Sequence, residues 1–158
     1  MLKKEEIHAI HALENPIRMD IMYDMKRFDF EKVVLEDFKA TVVKTTLKDI
    51  FNVDKKGNGR STKATRGRGV YALFYENKLM KIGRAITGSG IFTRMSQYYR
   101  QKDGKLDDID DTNKDKVVVW YFNLVNAKDC WAAEKHLQAK AYYAGEEMEW
   151  DDEVKKDS

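Results

Sequence analysis

The chain has 158 residues, 42% hydrophobic and 35% charged, with 29 lysines and arginines against 27 aspartates and glutamates, for a net charge of +2. That length suits one domain with an extension, and the near-balance of charge excludes a uniformly polycationic molecule. A single cysteine, Cys130, excludes an internal disulfide, and no stretch approaches the ~20 apolar residues of a membrane span. With no apolar run of signal-peptide type after Met1, the expectation is a soluble protein of the reducing cytoplasm, bacterial or phage-infected.

Residues 1–54 read as a helical extension. Ile7, Ile10, Leu13 and Ile17 recur at helical spacing, followed by Ile21 and Met22, and Asn15-Pro16 marks a break or a restart. The stretch from Ala12 to Met25 resembles the first helix of winged-helix DNA binders, although helices packed on a neighbouring core are the plainer reading. Val33, Val34, Phe38 and Val42 form a second helical run, and Leu47, Ile50 and Phe51 a third. Residues 55–68 differ in kind. They carry Lys55, Lys56, Arg60, Lys63, Arg66 and Arg68 with no acid, and are rich in glycine. Such a segment has no apolar surface to bury and reads as a mobile loop, whose charges suit DNA phosphates.

Residues 69–145 read as a compact core. Val70 to Tyr75 is rich in strand formers and is answered by Lys78 to Ile82, a β-hairpin pattern. Gly88 and Gly90 lead into a short helix, Ile91 to Arg100. Gln101 to Asp115 is polar and aspartate-rich, a loop expected to lie away from DNA. Val117 to Phe122 is a buried strand, and Asn126 with Asp129 caps a helix running to about Tyr143. The tail, 146–158, has seven acids against two lysines and reads as solvated. The order is β-β-α-β-α after a helical leader, which implies a mixed α/β (α+β) domain with a small, mostly antiparallel sheet flanked by helices.

The hairpin register can be argued from burial. A plain two-residue turn at Glu76-Asn77 puts Tyr71 and Lys81 on opposite faces. A three-residue loop, Tyr75-Glu76-Asn77, puts them directly across from each other and gathers Val70, Ala72, Phe74, Met80 and Ile82 on one apolar face. Core burial selects the second register.

Gly69-Val70-Tyr71, then nine residues, then Lys81-Ile82-Gly83 resembles the two signature triplets of the GIY-YIG nucleases. Arg94 on the next helix and Glu134 on the last fall where that family carries its arginine and glutamate. The resemblance covers about half the chain. It implies a GIY-YIG-like core and a metal-dependent DNA endonuclease of restriction or phage type, in which Glu134 holds Mg²⁺ or Mn²⁺, Arg94 binds the scissile phosphate and Tyr71 lies beside the attacking water. Lysine stands in the second triplet where most members have tyrosine. Some restriction-enzyme members share this feature, and there lysine is taken as the general base; the role passes to Lys81, which must be neutral to perform it. Arg84 is a second candidate for the phosphate, and Tyr98 stands where many members have histidine. No late asparagine matches.

Glu134 also stands out without the resemblance. Cys130, Ala133, Leu137, Ala141 and Ala144 form one apolar stripe, and at ~100° per residue Glu134 lies about 60° from its centre. A carboxylate at the border of a buried face needs a partner or a task. The expected partner of the protein is DNA, and double-strand cutting by one site per chain implies a homodimer on DNA. Two other readings fit the same residues. One is a catalytically silent DNA-binding module on this fold. The other is a helical interaction protein with a basic linker and an accidental match.

Overall fold

The computed structural model describes residues 28–55, 65–101 and 106–151, with the side chains of residues 53–55 excepted. The helical run from Ile7 to Met25, the Lys55 side chain, Lys56, Arg60, Lys63 and the tail beyond Asp151 lie outside the described residues. The elements in chain order are α1 (Phe30–Phe38), β1 (Val43–Thr46), α2 (Leu47–Lys55), β2 (Gly69–Tyr75), β3 (Lys78–Ala85), α3 (Ile91–Arg100), a 3-10 turn (Lys114–Lys116), β4 (Val118–Asn123) and α4 (Ala127–Tyr143). From β2 onward the order is the β-β-α-β-α of the sequence pattern. The four strands form one antiparallel sheet in the order β1-β4-β2-β3.

Each face of the sheet carries its own core. Tyr71, Leu73, Val119 and Tyr121 pack on one face against Leu47 and Ile50 of α2 and Ile91, Met95 and Tyr98 of α3. Val70, Ala72, Ile82 and Phe122 pack on the other against Phe30 and Val34 of α1 and Cys130, Ala133, Leu137 and Ala141 of α4. Leu73, Ile82, Leu137 and Met95 are fully buried, and each such side chain contributes roughly 1.5–3 kcal/mol. Phe122 anchors α1 to the sheet through rings at 5.5 Å (Phe38) and 6.2 Å (Phe30).

Local chemistry explains the helix ends. The Asn126 side chain accepts from the Asp129 backbone amide at 2.9 Å and starts α4 where the capping pattern predicts. Asp29 caps α1 in the same way through Lys32, and Thr46 accepts from the Asp49 amide at the start of α2. The first turn of α3 is completed differently: Ile91 and Phe92 donate to the carbonyls of Gly67 and Thr65. Gly90, which precedes that turn, has φ 55° and ψ −120°, and a Cβ there would strike the Gly67 carbonyl. Glycine is required here by both conformation and space.

Four sequence expectations are corrected. The second helical run stops at Phe38, where Lys39 turns left-handed at φ 54°, and Val43–Thr46 is instead an edge strand on β4. Residues 28–55 are therefore built into the sheet and its two cores rather than appended to them. The basic segment is not a free loop throughout: Lys55 ends α2, and residues 65–68 are strapped to α3 by the bonds just described. The tail is not wholly solvated, since Met148, Trp150 and Asp151 are buried and the Trp150 amide donates to the Met80 carbonyl on the outer edge of β3.

The hairpin register is the fourth. Its turn is two residues, with Glu76 at φ 52° and Asn77 at φ 63°, the left-handed pair that matches strand twist. One extra β3 residue, Met80, then bulges between the pairs Phe74↔Leu79 and Leu73↔Lys81. The bulge restores the burial parity that a plain two-residue turn would have lost. Tyr71 and Lys81 do share a face, but Tyr71 lies opposite Gly83 and Lys81 opposite Leu73. Met80 passes to the Tyr71 face, and Leu79 takes its place on the other.

Candidate active site

Tyr71 is the centre of the candidate site. β2 is an inner strand, and its register directs the Tyr71 ring toward Gly83 of the edge strand β3. A Cβ at position 83 would overlap the Tyr71 hydroxyl, so the ring occupies the space that any side chain there would need. Tyr98, near the end of α3, meets the same hydroxyl with its own at 2.5 Å, the rings crossing edge-on at 6.0 Å between centroids. Both tyrosines are buried, Tyr71 to 1% exposure. Burial raises the Tyr71 hydroxyl well above its ordinary value of 10.0, and the bond and charge of Tyr98 raise it further. Tyr71 is therefore a neutral phenol at physiological pH.

Two charged groups reach Tyr71 through space. Arg94 on α3 opposes the rise in its pKa, and Glu134 on α4 adds to it. These helices cover opposite faces of the sheet. The edge strand between them bears no side chain at Gly83. Glu134 is 5% exposed, as its place beside the apolar stripe of α4 requires. Its Oε1 accepts from Arg84 Nη1 at 2.5 Å, and Lys135 Nζ lies at 3.8 Å. The border carboxylate thus has a partner on β3, one residue after Gly83, separated from it by fifty positions in sequence.

Tyr71 and Tyr98 meet beside Gly83, Arg84 and Glu134 pair one residue on, and Arg94 lies one turn before Tyr98 on α3. Lys81 shares the Tyr71 face, partly exposed, and its side chain has no hydrogen-bond or ion-pair partner among the described residues. Arg84 is bonded to the candidate metal ligand rather than held apart for a phosphate. Arg66 and Arg68 are exposed at the Gly69–Ala85 end of the hairpin, the end nearer Gly83. They also brace the protein itself: Arg66 lies 4.6 Å over the Phe92 ring, and Arg68 donates to the carbonyls of Ile86 and Val125. The aspartate-rich loop feeds β4 at Val118, which pairs with Phe74 at the opposite, hairpin-turn end. An open cleft lined by Phe74, Tyr75, Lys116, Val118 and Trp120 also lies at that end, away from the titratable cluster.

Among the described residues no group of three or more His, Cys, Asp or Glu side chains could hold a metal. A cation beside Glu134 would have one protein carboxylate, with waters and a substrate phosphate completing its shell. That is an ordinary arrangement for Mg²⁺. The donor set fits a hard cation only in this substrate-assisted form.

Two groups escaped the sequence reading. Gln138 is buried and donates through Nε2 to the Ile82 carbonyl at 2.8 Å and to Asp151 Oδ2 at 3.1 Å. It fastens the strand immediately before Gly83. Its signal was available, a glutamine at the edge of the α4 apolar stripe; the signal of its partner was Trp150 among the acids. No family model, curated protein or solved structure matches this chain. Among the described residues no helix is long and apolar enough to cross a membrane.

Proposed function

We propose that this protein is a metal-dependent DNA endonuclease of the GIY-YIG type. The observation that carries the reading is the meeting of Tyr71 with Tyr98 beside Gly83 and of Arg84 with Glu134 one residue on, from four separate elements, with Arg94 one turn before Tyr98. Tyr71, Arg94 and Glu134 are residues the GIY-YIG resemblance selects, with Arg84 and Tyr98 as its further candidates; Lys81 of the second triplet stands apart from them. Phosphodiester hydrolysis needs positive charge for the phosphate, an activated water and help for the leaving oxygen. Arg94, partly exposed and without an ion-pair partner among the described residues, is suited to bind the scissile phosphate and its growing charge. A divalent cation held by Glu134 against a phosphate oxygen would supply Lewis-acid stabilisation. Arg84 orients the Glu134 carboxylate.

Tyr71 is buried, bonded to Tyr98 and neutral, so it serves as a hydrogen-bonding group fixed in position and not as the base. Tyr98 holds it there. The base role is carried to Lys81 by its place in the second triplet, on the same face as Tyr71. The basic segment, with Arg66 and Arg68 at the Gly83 end of the hairpin, would track the DNA backbone, and the acidic loop at the far end would stay clear of it.

Plasmid cleavage in Mg²⁺ or Mn²⁺ tests this, with wild type, Glu134→Ala and an EDTA control. The expected result is metal-dependent nicking or linearisation that falls at least a hundredfold in the variant, consistent with the several kcal/mol a catalytic cation contributes. Cleavage that survives Glu134→Ala overturns the assignment of the site. Salt-sensitive binding without cleavage would favour the silent DNA-binding module, a reading supported by the hold of Arg84 on Glu134.

A further inference from the structure

Helix α4 turns one flank of its Glu134 border inward and leaves the other bare. Trp131, one turn before Glu134, is 53% exposed, and Tyr142 is 52% exposed. At ~100° per residue Trp131, Lys128, Lys135 and Tyr142 fall within about 60° of one another, a single stripe facing solvent. Trp131 keeps about half its surface exposed while Trp150, Tyr71, Tyr98 and Tyr121 are buried, so its ring is open to a partner. The charged side chains within that stripe are both lysines. Lys128 is exposed, Lys135 is half-buried against Glu134, and the carboxylates of the helix stand aside: Glu134 is held by Arg84, and Asp129 lies about 160° around the axis from Trp131.

We infer that the Trp131 face of α4 is a stacking platform for an unpaired DNA base next to the scissile phosphate. This rests on the nuclease reading of the Glu134 site and adds its substrate class: DNA with single-stranded nucleotides beside the cut. An aromatic ring between lysines binds single strands because every base has a face to stack and every linkage a charge to meet. Duplex DNA hides those faces. Lys128 and Lys135 take the flanking phosphates, and Glu134 lies on the next turn of the same helix, so a base stacked on Trp131 brings its neighbouring phosphate toward the cluster around Gly83.

Fluorescence anisotropy of the full chain tests it, in EDTA so that no cleavage intervenes, with a labelled single-stranded oligonucleotide and the same sequence as a duplex. Wild type is compared with Trp131→Ala and Trp131→Phe, each checked for an unchanged circular dichroism spectrum. The expected result is about a tenfold weaker Kd for Trp131→Ala on the single strand, recovery in Trp131→Phe, and less than a twofold change on the duplex. Equal single-strand affinity in wild type and Trp131→Ala overturns the platform while leaving the nuclease reading in place. Trp131-dependent binding with no cleavage in Mg²⁺ or Mn²⁺ upholds the platform and overturns the nuclease. Absence of binding to the single strand overturns the platform, and cleavage in Mg²⁺ or Mn²⁺ decides the nuclease reading separately.

Discussion

The two faces of the sheet solve the same packing problem with different chemistry. On the α2/α3 face the polar pairs at Tyr71 and Tyr121 are neutral hydroxyls, Tyr71 with Tyr98 and Thr65 with Tyr121 at 3.2 Å, while Tyr99, stacked on Phe51 at 4.7 Å, donates to the Asp115 carboxylate at 2.7 Å. On the α1/α4 face they are charged: Arg84 with Glu134, and Asp37 of α1 accepting from His136 and Lys140 of α4 at 2.7 and 2.6 Å. Neutral hydroxyl pairs persist across the ordinary pH range. Ion pairs hold only while both partners are charged, and each leaves a desolvated charge behind if one partner goes. The candidate site sits where the faces meet, at Gly83, and takes a fixed neutral hydroxyl from one and an adjustable carboxylate from the other.

The largest effect should come from closing that meeting point. Gly83→Ala forces the Tyr71 hydroxyl to move, and overpacking of this kind costs about 3 kcal/mol. Urea unfolding measures the loss, and near-ultraviolet circular dichroism reports the displaced tyrosines. A variant as stable as wild type with an unchanged spectrum would mean that the ring does not fill the Gly83 space. Next comes Arg84→Ala, which strips the nearest cation from a carboxylate that is 7% exposed. The expected loss is about 1–3 kcal/mol, toward the lower end because Arg84 itself is 32% exposed to screening solvent. Arg84→Lys should recover part of it, and no loss in the alanine variant would show that Lys135 alone suffices.

The smallest effect is a matter of pH on the charged face. Hydrogen bonds from His136 and then Lys140 hold the Asp37 carboxyl below its ordinary value of 3.8. A carboxylate with a lowered folded pKa contributes stability that is fully present above 3.8 and is lost as pH falls through the folded value. Asp37→Asn should therefore cost a little stability at neutral pH and flatten the acid limb of the stability curve below that point. A parallel acid limb in the variant would refute the linkage.

Legibility in the sequence followed the reach of the signal. α3 and α4 were readable to the residue because their punctuation is local: Gly88 and Gly90 before Ile91, and Asn126 three residues before Asp129. β1 was missed because Val42 fits the helical period of Val34 and Phe38, while the β-branched run Val43, Thr45, Thr46 beside it carried the weaker but correct signal. The hairpin reading put Tyr71 and Lys81 on one face as they are, but by the wrong pairing and with Met80 on the wrong side, since burial parity is written in the alternation of side chains and a bulge at Met80 is not. The border position of Glu134 announced a partner. Its identity, Arg84, could not be read, because fifty residues separate them and only the packing of α4 on β3 brings them together. The acidic composition of the tail hid Met148, Trp150 and Asp151, whose burial depends on tertiary contacts.

Those last described residues have a consequence for handling the molecule. β3 is an edge strand, and an edge with bare carbonyls is a template on which a second chain can add and fibres can begin. Here Trp150 covers the Met80 carbonyl and Gln138 the Ile82 carbonyl, while β1, the other edge, is only 4 residues long. A chain trimmed after Gly145, the core boundary that composition suggests, would lose the Trp150 cap and the Asp151 anchor of Gln138 together. The unremarkable acidic end covers backbone that this edge would otherwise present bare.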